Sequence, residues 1–320
     1  MPPVKVLIVV GAQRSGSTLL HRILGQIDSF VAVGELWYLW EQGLLENRLC
    51  GCGGRFRECA FWTRVFEMAF GGLDAIEAER MRRAIRFGSR TRNLPLYWAH
   101  AGKRHVRSRL VAELKVLGAL YRAVHASTGS RVIVDSSKSP GYAQLLSLIP
   151  DVELYVVHLI RDSRAVAYSW QRRKLQLDKG TQARMSTMSP VKSAVLWNIW
   201  NTAAERLQKL HPARYAQLRY EDLVAHPQTS IERIVSMTGT CRTSLSFING
   251  NKVRLDRTHT ISGNPNRFRS GDVELRADEE WRNAIAGSHH RIVTSLTRSL
   301  LAKYGYLKES SGILSLCCFS

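Results

Sequence analysis

Acidic residues are scarce in this chain of 320: 26 Asp and Glu stand against 46 Lys and Arg, a formal charge of +20. The imbalance excludes an acidic surface and favours an anionic partner, either a polyphosphorylated small molecule, an acidic membrane surface or nucleic acid. A basic face that merely keeps the chain in solution satisfies it as well. Long apolar runs are missing from the start. Val6 to Val10 is a five-residue run, too short for a signal core or a membrane span, so the expected location is cytoplasmic. Six cysteines in 320 residues do not make a disulfide scaffold, and no internal repeat or low-complexity segment stands out. The stretch from Arg80 to Arg109 holds ten Lys or Arg and no acid, yet it lacks the reading helix or aromatic platform of a nucleic-acid binder. No nucleic acid is therefore expected. The run reads as a solvated face, or as a docking face for an anionic acceptor or for peripheral contact with an anionic membrane.

The apolar fraction of 45% and charged fraction of 22% are those of a globular chain. Residues 4–10, VKVLIVV, have the composition of a strand buried on both faces. The Gly-rich stretch GAQRSGST follows, and then Leu19, Leu20, Ile23, Leu24 and Ile27 mark one face of a helix. Two further apolar runs end in polar groups: RVIV before Asp135-Ser136-Ser137-Lys138, and ELYVVHLI before Arg161-Asp162-Ser163. Open parallel sheets bind ligands at the carboxyl ends of their strands, so these endings are candidate site positions. A fourth run, Tyr215 to Tyr220, precedes a helix start at Glu221-Asp222-Leu223. Residues 38–128 read as a mostly helical insertion, and 288–304 as a closing helix. The expected fold is α/β: three layers, P-loop-like, with a central parallel sheet flanked by helices. The expected organisation is a single domain over 1–305 and a loose tail over 306–320, whose Cys317-Cys318-Phe319-Ser320 is too weak a pattern for prenylation.

Gly11 and Gly16, with Ser17 and Thr18 behind them, match the Walker A spacing at every fixed position except the lysine, which is Ser17. Backbone N–H groups in such a loop converge on phosphate oxygens, but a triphosphate would lack its main cationic partner. The nearest cation is Arg14. That departure weighs against a P-loop small-molecule kinase, which remains the alternative enzyme reading beside a basic nucleic-acid-binding protein.

Gln13-Arg14-Ser15-Gly16-Ser17-Thr18-Leu19-Leu20 after a strand, with LIRDSRAVAYSW later, resembles the two donor-binding signatures of PAPS-dependent sulfotransferases of the bacterial type. The resemblance implies that Arg14, Ser15, Gly16, Ser17 and Thr18 hold the 5′-phosphosulfate of PAPS. It also implies that Arg161 and Ser169, eight residues apart, grip the 3′-phosphate. A helix capped by Asp162 or Ser163 puts Ser169 about two turns in, beside Arg161. Tyr220, in Tyr-Glu-Asp-Leu, is similar to a tyrosine near the adenine, and Gly263-Asn264-Pro265-Asn266-Arg267-Phe268 to a late loop that closes over the nucleotide, with Arg267 as a contact.

The implied reaction is in-line transfer of a sulfuryl group to an acceptor hydroxyl, from a lipid, glycan or small molecule. Arg14 and Lys138 are the candidate cations at the leaving oxygen, and Glu35 is the candidate base, with His259 as its alternative. His158, within an apolar strand, reads as a core histidine. Trp37, Tyr38, Trp40, Trp197 and Trp200 line an acceptor pocket or belong to the core. No metal is expected. Cys50, Cys52 and Cys59, in a pattern that also resembles bacterial members, lack a nearby fourth ligand for zinc and read as a cluster of reduced thiols.

Overall fold

The computed structural model describes residues 2–172, 175–179, 184–240 and 244–307; most of the expected tail, 308–320, lies outside them. Five parallel strands form the central sheet in the order β2-β3-β1-β4-β5: β1 (Val4–Val10), β2 (Phe30–Gly34), β3 (Val132–Lys138), β4 (Val152–Ile160) and β5 (Tyr215–Arg219). Alternate residues of each strand enter opposite faces, as a pleat requires. Val6, Ile8, Ile133 and Val156 pack in one core with Leu117 and Tyr121 of α5 (Val111–Thr128), Tyr142 of α6 (Pro140–Leu146) and Leu207 of α8 (Pro190–Leu210). Leu7, Val9, Val134 and Val157 pack in the other with Leu20 and Ile23 of α1 (Ser17–Leu24), Leu223 of α9 (Tyr220–Ala225) and Ile231 of α10 (Pro227–Met237). These faces make the three layers.

Between β2 and β3 the chain is helical: α2 (Ala60–Phe70), α3 (Ala78–Ser89), α4 (His100–Arg109) and α5, preceded by a π-helical turn over Leu39–Leu45. α7 (Ser163–Gln171) follows β4, and α11 (Trp281–Ala284) and α12 (Gly287–Lys303) close the described chain. A second sheet, three antiparallel strands β6 (Ile248–Asn249), β7 (Lys252–Leu255) and β8 (Gly271–Glu274), was not expected from sequence. Only Val253 and Leu255 of Lys-Val-Arg-Leu face inward, so each strand carries too short an alternation to read. Among the described residues no helix is long and apolar enough to cross a membrane.

β3 does not stop at its polar residues. Asp135, Ser136 and Ser137 continue the strand, fully buried, and the register against β1 slips by one residue between Ile8–Asp135 and Val10–Lys138. Such a bulge re-aims the side chains that follow it. Lys138 then sits at φ 63°, in the left-handed region. Asp135 organises this end of the strand: it accepts from the Tyr121 hydroxyl at 2.6 Å, from the Ser137 backbone N–H at 2.8 Å and from the Ser137 hydroxyl. Ser137 Oγ in turn accepts from the Trp37 backbone N–H at 3.0 Å, two residues after Glu35.

Burial raises the Asp135 carboxyl to about 6 from an ordinary 3.8, partly offset by the bonds it accepts from Ser137 and Tyr121. A raised carboxyl holds its proton in the folded chain after the unfolded chain has lost it. Its contribution is therefore full below about pH 4 and lost as the pH rises through about 6. Asp135→Asn keeps an acceptor for Ser137 and presents an amide to Tyr121 without a buried charge. Urea unfolding of both proteins should show the variant gaining on wild type between pH 4 and 6, by on the order of 1–3 kcal/mol. A pH-independent difference would contradict the assignment.

Candidate active site

The β1–α1 turn has no room for a side chain at either end: a Cβ at Gly11 would lie 2.3 Å from the Leu159 carbonyl oxygen. Gly16 caps α1 at φ 92°, and a Cβ there would lie 2.4 Å from the Tyr220 ring. The Tyr220 ring therefore closes directly on the loop backbone, and on its other flank the Arg161 guanidinium carbon lies 4.6 Å from its centroid. Arg14, at φ 69°, sends its guanidinium out of the loop, 4.8 Å from the Trp170 ring centroid and 3.6 Å from Met185 Sδ. Burial lowers its affinity for a proton from the usual arginine value, and the Glu35 carboxylate opposes that.

The carboxyl end of β4 supplies Arg161. Trp197 Nε1 donates to its carbonyl at 2.9 Å, which fixes the backbone, and Asp162 caps α7 by accepting from the Arg164 backbone N–H at 2.8 Å. The Arg161 guanidinium donates to the Arg14 carbonyl at 3.2 Å and pairs with Asp278 at 3.0 Å. Across the sheet, Lys138 Nζ lies 2.5 Å from Glu35 Oε1, with both side chains buried. The Glu35 backbone is tied down separately, its N–H donating to the Ile261 carbonyl at 2.8 Å. A buried ion pair is costly to desolvate, and Lys138 and Glu35 each supply the other's counter-charge.

These elements enclose a pocket of about 520 Å³. Of the positions expected from sequence, Arg14, Gly16, Ser17, Thr18, Glu35, Lys138, Arg161, Ser169 and Tyr220 all line it. Ser15 does not. It is buried behind the loop, and its hydroxyl has no hydrogen-bond partner. Arg267 is also absent from the wall: it is 1% exposed and donates to the carbonyls of Thr260 and Leu49, both at 2.8 Å. The late loop meets the pocket through Gly263, Asn264 and Asn266 instead. Asn264 N–H donates to Thr18 Oγ1 at 3.2 Å, which closes this loop against α1.

His259 is not at the pocket either. Its Nδ1 is 3.2 Å from Cys59 Sγ, so the alternative base belongs to the cysteine cluster. His158 is a core residue, bonded to the Tyr215 hydroxyl and Asn201, and burial lowers it to about 4. Of the aromatic candidates, Tyr38 lines the pocket, whereas Trp40 and Trp197 are fully buried and Trp37 and Trp200 bond Ser89 and Thr91.

Sequence reasoning missed Arg22, Arg48, Arg269 and Arg276, which add cations to the same wall. Arg22 carried a readable signal. It lies four residues after Thr18 on α1, hence on the same helix face as the phosphate loop. It donates to the carbonyls of Asn266 at 2.7 Å and of Arg269, clamping the late loop. A pocket walled by this many guanidinium groups, with a loop of backbone N–H groups at a helix start, suits a ligand with several anionic groups.

A model of the sulfotransferase family matches residues 7–242. Among solved structures, the chain is similar to the sulfotransferase domain of the Synechococcus PCC 7002 olefin synthase, at 19% identity over 93% of this chain and 95% of that one, with a TM-score of 0.52. It is also similar to the sulfotransferase domain of the curacin biosynthetic pathway, at 18% identity over 93% and 98% with a TM-score of 0.49. A third is sulfotransferase STF9 from Mycobacterium avium, at 16% identity over 77% and 66% with a TM-score of 0.43. No curated protein matches the chain significantly. The first of these structures shares the fold. The family match runs from β1 past α10, through the β1–α1 loop, both halves of the buried ion pair and the Arg161 strand end, and by that match the chain belongs to the sulfotransferase family.

Proposed function

We propose that this protein transfers a sulfuryl group from PAPS to the hydroxyl of a lipid, glycan or small-molecule acceptor. The observation that carries the reading is that one cationic pocket is lined both by the β1–α1 loop with the Lys138–Glu35 pair and by Arg161 and Ser169. A donor with a phosphosulfate at one end and a 3′-phosphate at the other needs both. The unpartnered Nε of buried Arg161, on the pocket wall, is a polar group that an anion would satisfy.

In the reaction the acceptor oxygen attacks sulfur as the bond from sulfur to the bridging phosphate oxygen breaks. The acceptor proton passes to the Glu35 carboxylate, and the electron pair of the broken bond stays on the phosphate as adenosine 3′,5′-bisphosphate departs. Lys138 and Arg14 stabilise the charge that grows on that oxygen, a contribution larger in a dry site than in water. Lys138 has a second role, because its ammonium pairs with the Glu35 carboxylate and holds it in place. The reaction needs no Mg²⁺-bound triphosphate, consistent with Ser17 at the Walker lysine position.

Adenosine 3′,5′-bisphosphate should raise the melting temperature in the absence of magnesium, and Arg161→Ala should remove that rise. A rise with ATP and magnesium alone would favour the kinase reading and overturn this one. In turnover assays with PAPS and an acceptor from an extract of the source cells, Lys138→Ala should lower kcat by about 10²–10³. Glu35→Gln should lower it by about 10²–10⁴ with nucleotide binding retained. Wild-type turnover in either variant would remove that residue from the mechanism.

A further inference from the structure

The three cysteines do find a fourth partner, 200 residues away along the chain. Cys50, Cys52, Cys59 and His259 bring their ligand atoms within 4.8 Å of one another, with Cys52 Sγ to Cys59 Sγ at 3.8 Å and Cys59 Sγ to His259 Nδ1 at 3.2 Å. These spacings are too long for a disulfide, whose sulfurs sit about 2 Å apart. Around one ion, ligand bonds of about 2.3 Å for sulfur and 2.0 Å for nitrogen give tetrahedral edges of roughly 3.8 Å between sulfurs and 3.5 Å between sulfur and nitrogen, so the Cys52–Cys59 spacing of 3.8 Å matches and the Cys59–His259 spacing of 3.2 Å is a little shorter.

The two segments are built to meet. Cys50 N–H donates to the Gly54 carbonyl at 2.8 Å and Gly53 N–H to the Cys50 carbonyl at 2.9 Å, folding residues 50–54 into a tight turn. Gly51 lies against the segment that carries the histidine so closely that a Cβ would be 2.3 Å from Thr260 Oγ1 and 2.4 Å from the Thr258 carbonyl, and its N–H donates to the Thr260 carbonyl at 3.0 Å. Cys59 precedes the first residue of α2, where the helix dipole favours a thiolate. The same helix aims the histidine: Trp62 Nε1 donates to the His259 carbonyl at 3.0 Å, and the Phe61 ring stacks on the imidazole at 4.9 Å between centroids.

We propose that Cys50, Cys52, Cys59 and His259 bind one Zn²⁺ as a closed structural site. Three thiolates and an imidazole are a tetrahedral zinc donor set, and four protein ligands leave no open position for substrate. The site replaces the expected cluster of reduced thiols and does not depend on the sulfotransferase reaction. Its role is mechanical. The metal joins the 50–59 loop to the segment at 259–261, where Ile261 N–H donates to the Val33 carbonyl and the Ile261 carbonyl accepts from Glu35 N–H. Arg267 spans the same junction from inside, through Leu49 and Thr260.

The full chain, expressed in zinc-supplemented medium and purified without chelator, should carry about one zinc per molecule by mass-spectrometric metal analysis. Cys59→Ser and His259→Ala should each lose about tenfold or more of that content, whereas His259→Cys should keep it. Cobalt in place of zinc should give the thiolate charge-transfer and intense visible bands of a tetrahedral centre, shifted in His259→Cys by the added sulfur. That spectrum reports on wild type even if a serine variant fails to fold. Chelation should lower the melting temperature and expose the three thiols to a thiol reagent. Wild-type protein that holds no zinc and gives no thiolate–cobalt band would overturn the proposal, as would full metal content in both Cys59→Ser and His259→Ala.

Discussion

Parallel pairing sends every strand-to-helix turn to the same end of the sheet, and the site depends on that constraint. β1 lies between β3 and β4, so the turns after these three strands become neighbours although their sequence positions are far apart. The first gives backbone N–H groups at a helix start, the second gives Lys138, and the third gives Arg161. None of the three groups comes from the helical stretch between β2 and β3, which packs α5 against one face of the sheet.

The charges at this end of the sheet are buried as compensated sets. Lys138 meets Glu35, and Asp135 meets a tyrosine hydroxyl and a backbone N–H. Leaving any one of these without its partner would cost more than the pair contributes, since a lone charge in a dry interior loses its hydration without replacement. The arrangement therefore specifies geometry more than it adds stability. Glu35 has little freedom, with its carboxylate paired to Lys138 of β3 and its backbone N–H bonded to the Ile261 carbonyl.

What could be read from the sequence followed from local pattern. The long β-branched runs of β1 and β4, and the 3.6-residue periodicity of α1, announced the strand–loop–helix unit and the α/β class. Polar residues within β3 read as the end of a strand because Asp, Ser and Lys in sequence carry no sign of the partners that bury them. The small second sheet stayed hidden for want of length. His259 could not be matched to Cys50, Cys52 and Cys59 by spacing, since only the tertiary fold brings residues 200 apart into contact. Arg267 misled in the opposite sense: its position in the late loop suggested a ligand contact, but its guanidinium is spent on two backbone carbonyls.

The Arg161–Asp278 pair joins the carboxyl end of β4 to the segment between β8 and α11. Any anion that comes to Arg161 meets an incumbent carboxylate of this same chain, held at the high effective concentration of an intramolecular group. The anion then competes with Asp278 for the same guanidinium. Under the proposed sulfotransferase reading, the returning carboxylate competes with the spent nucleotide for Arg161 and so favours its departure.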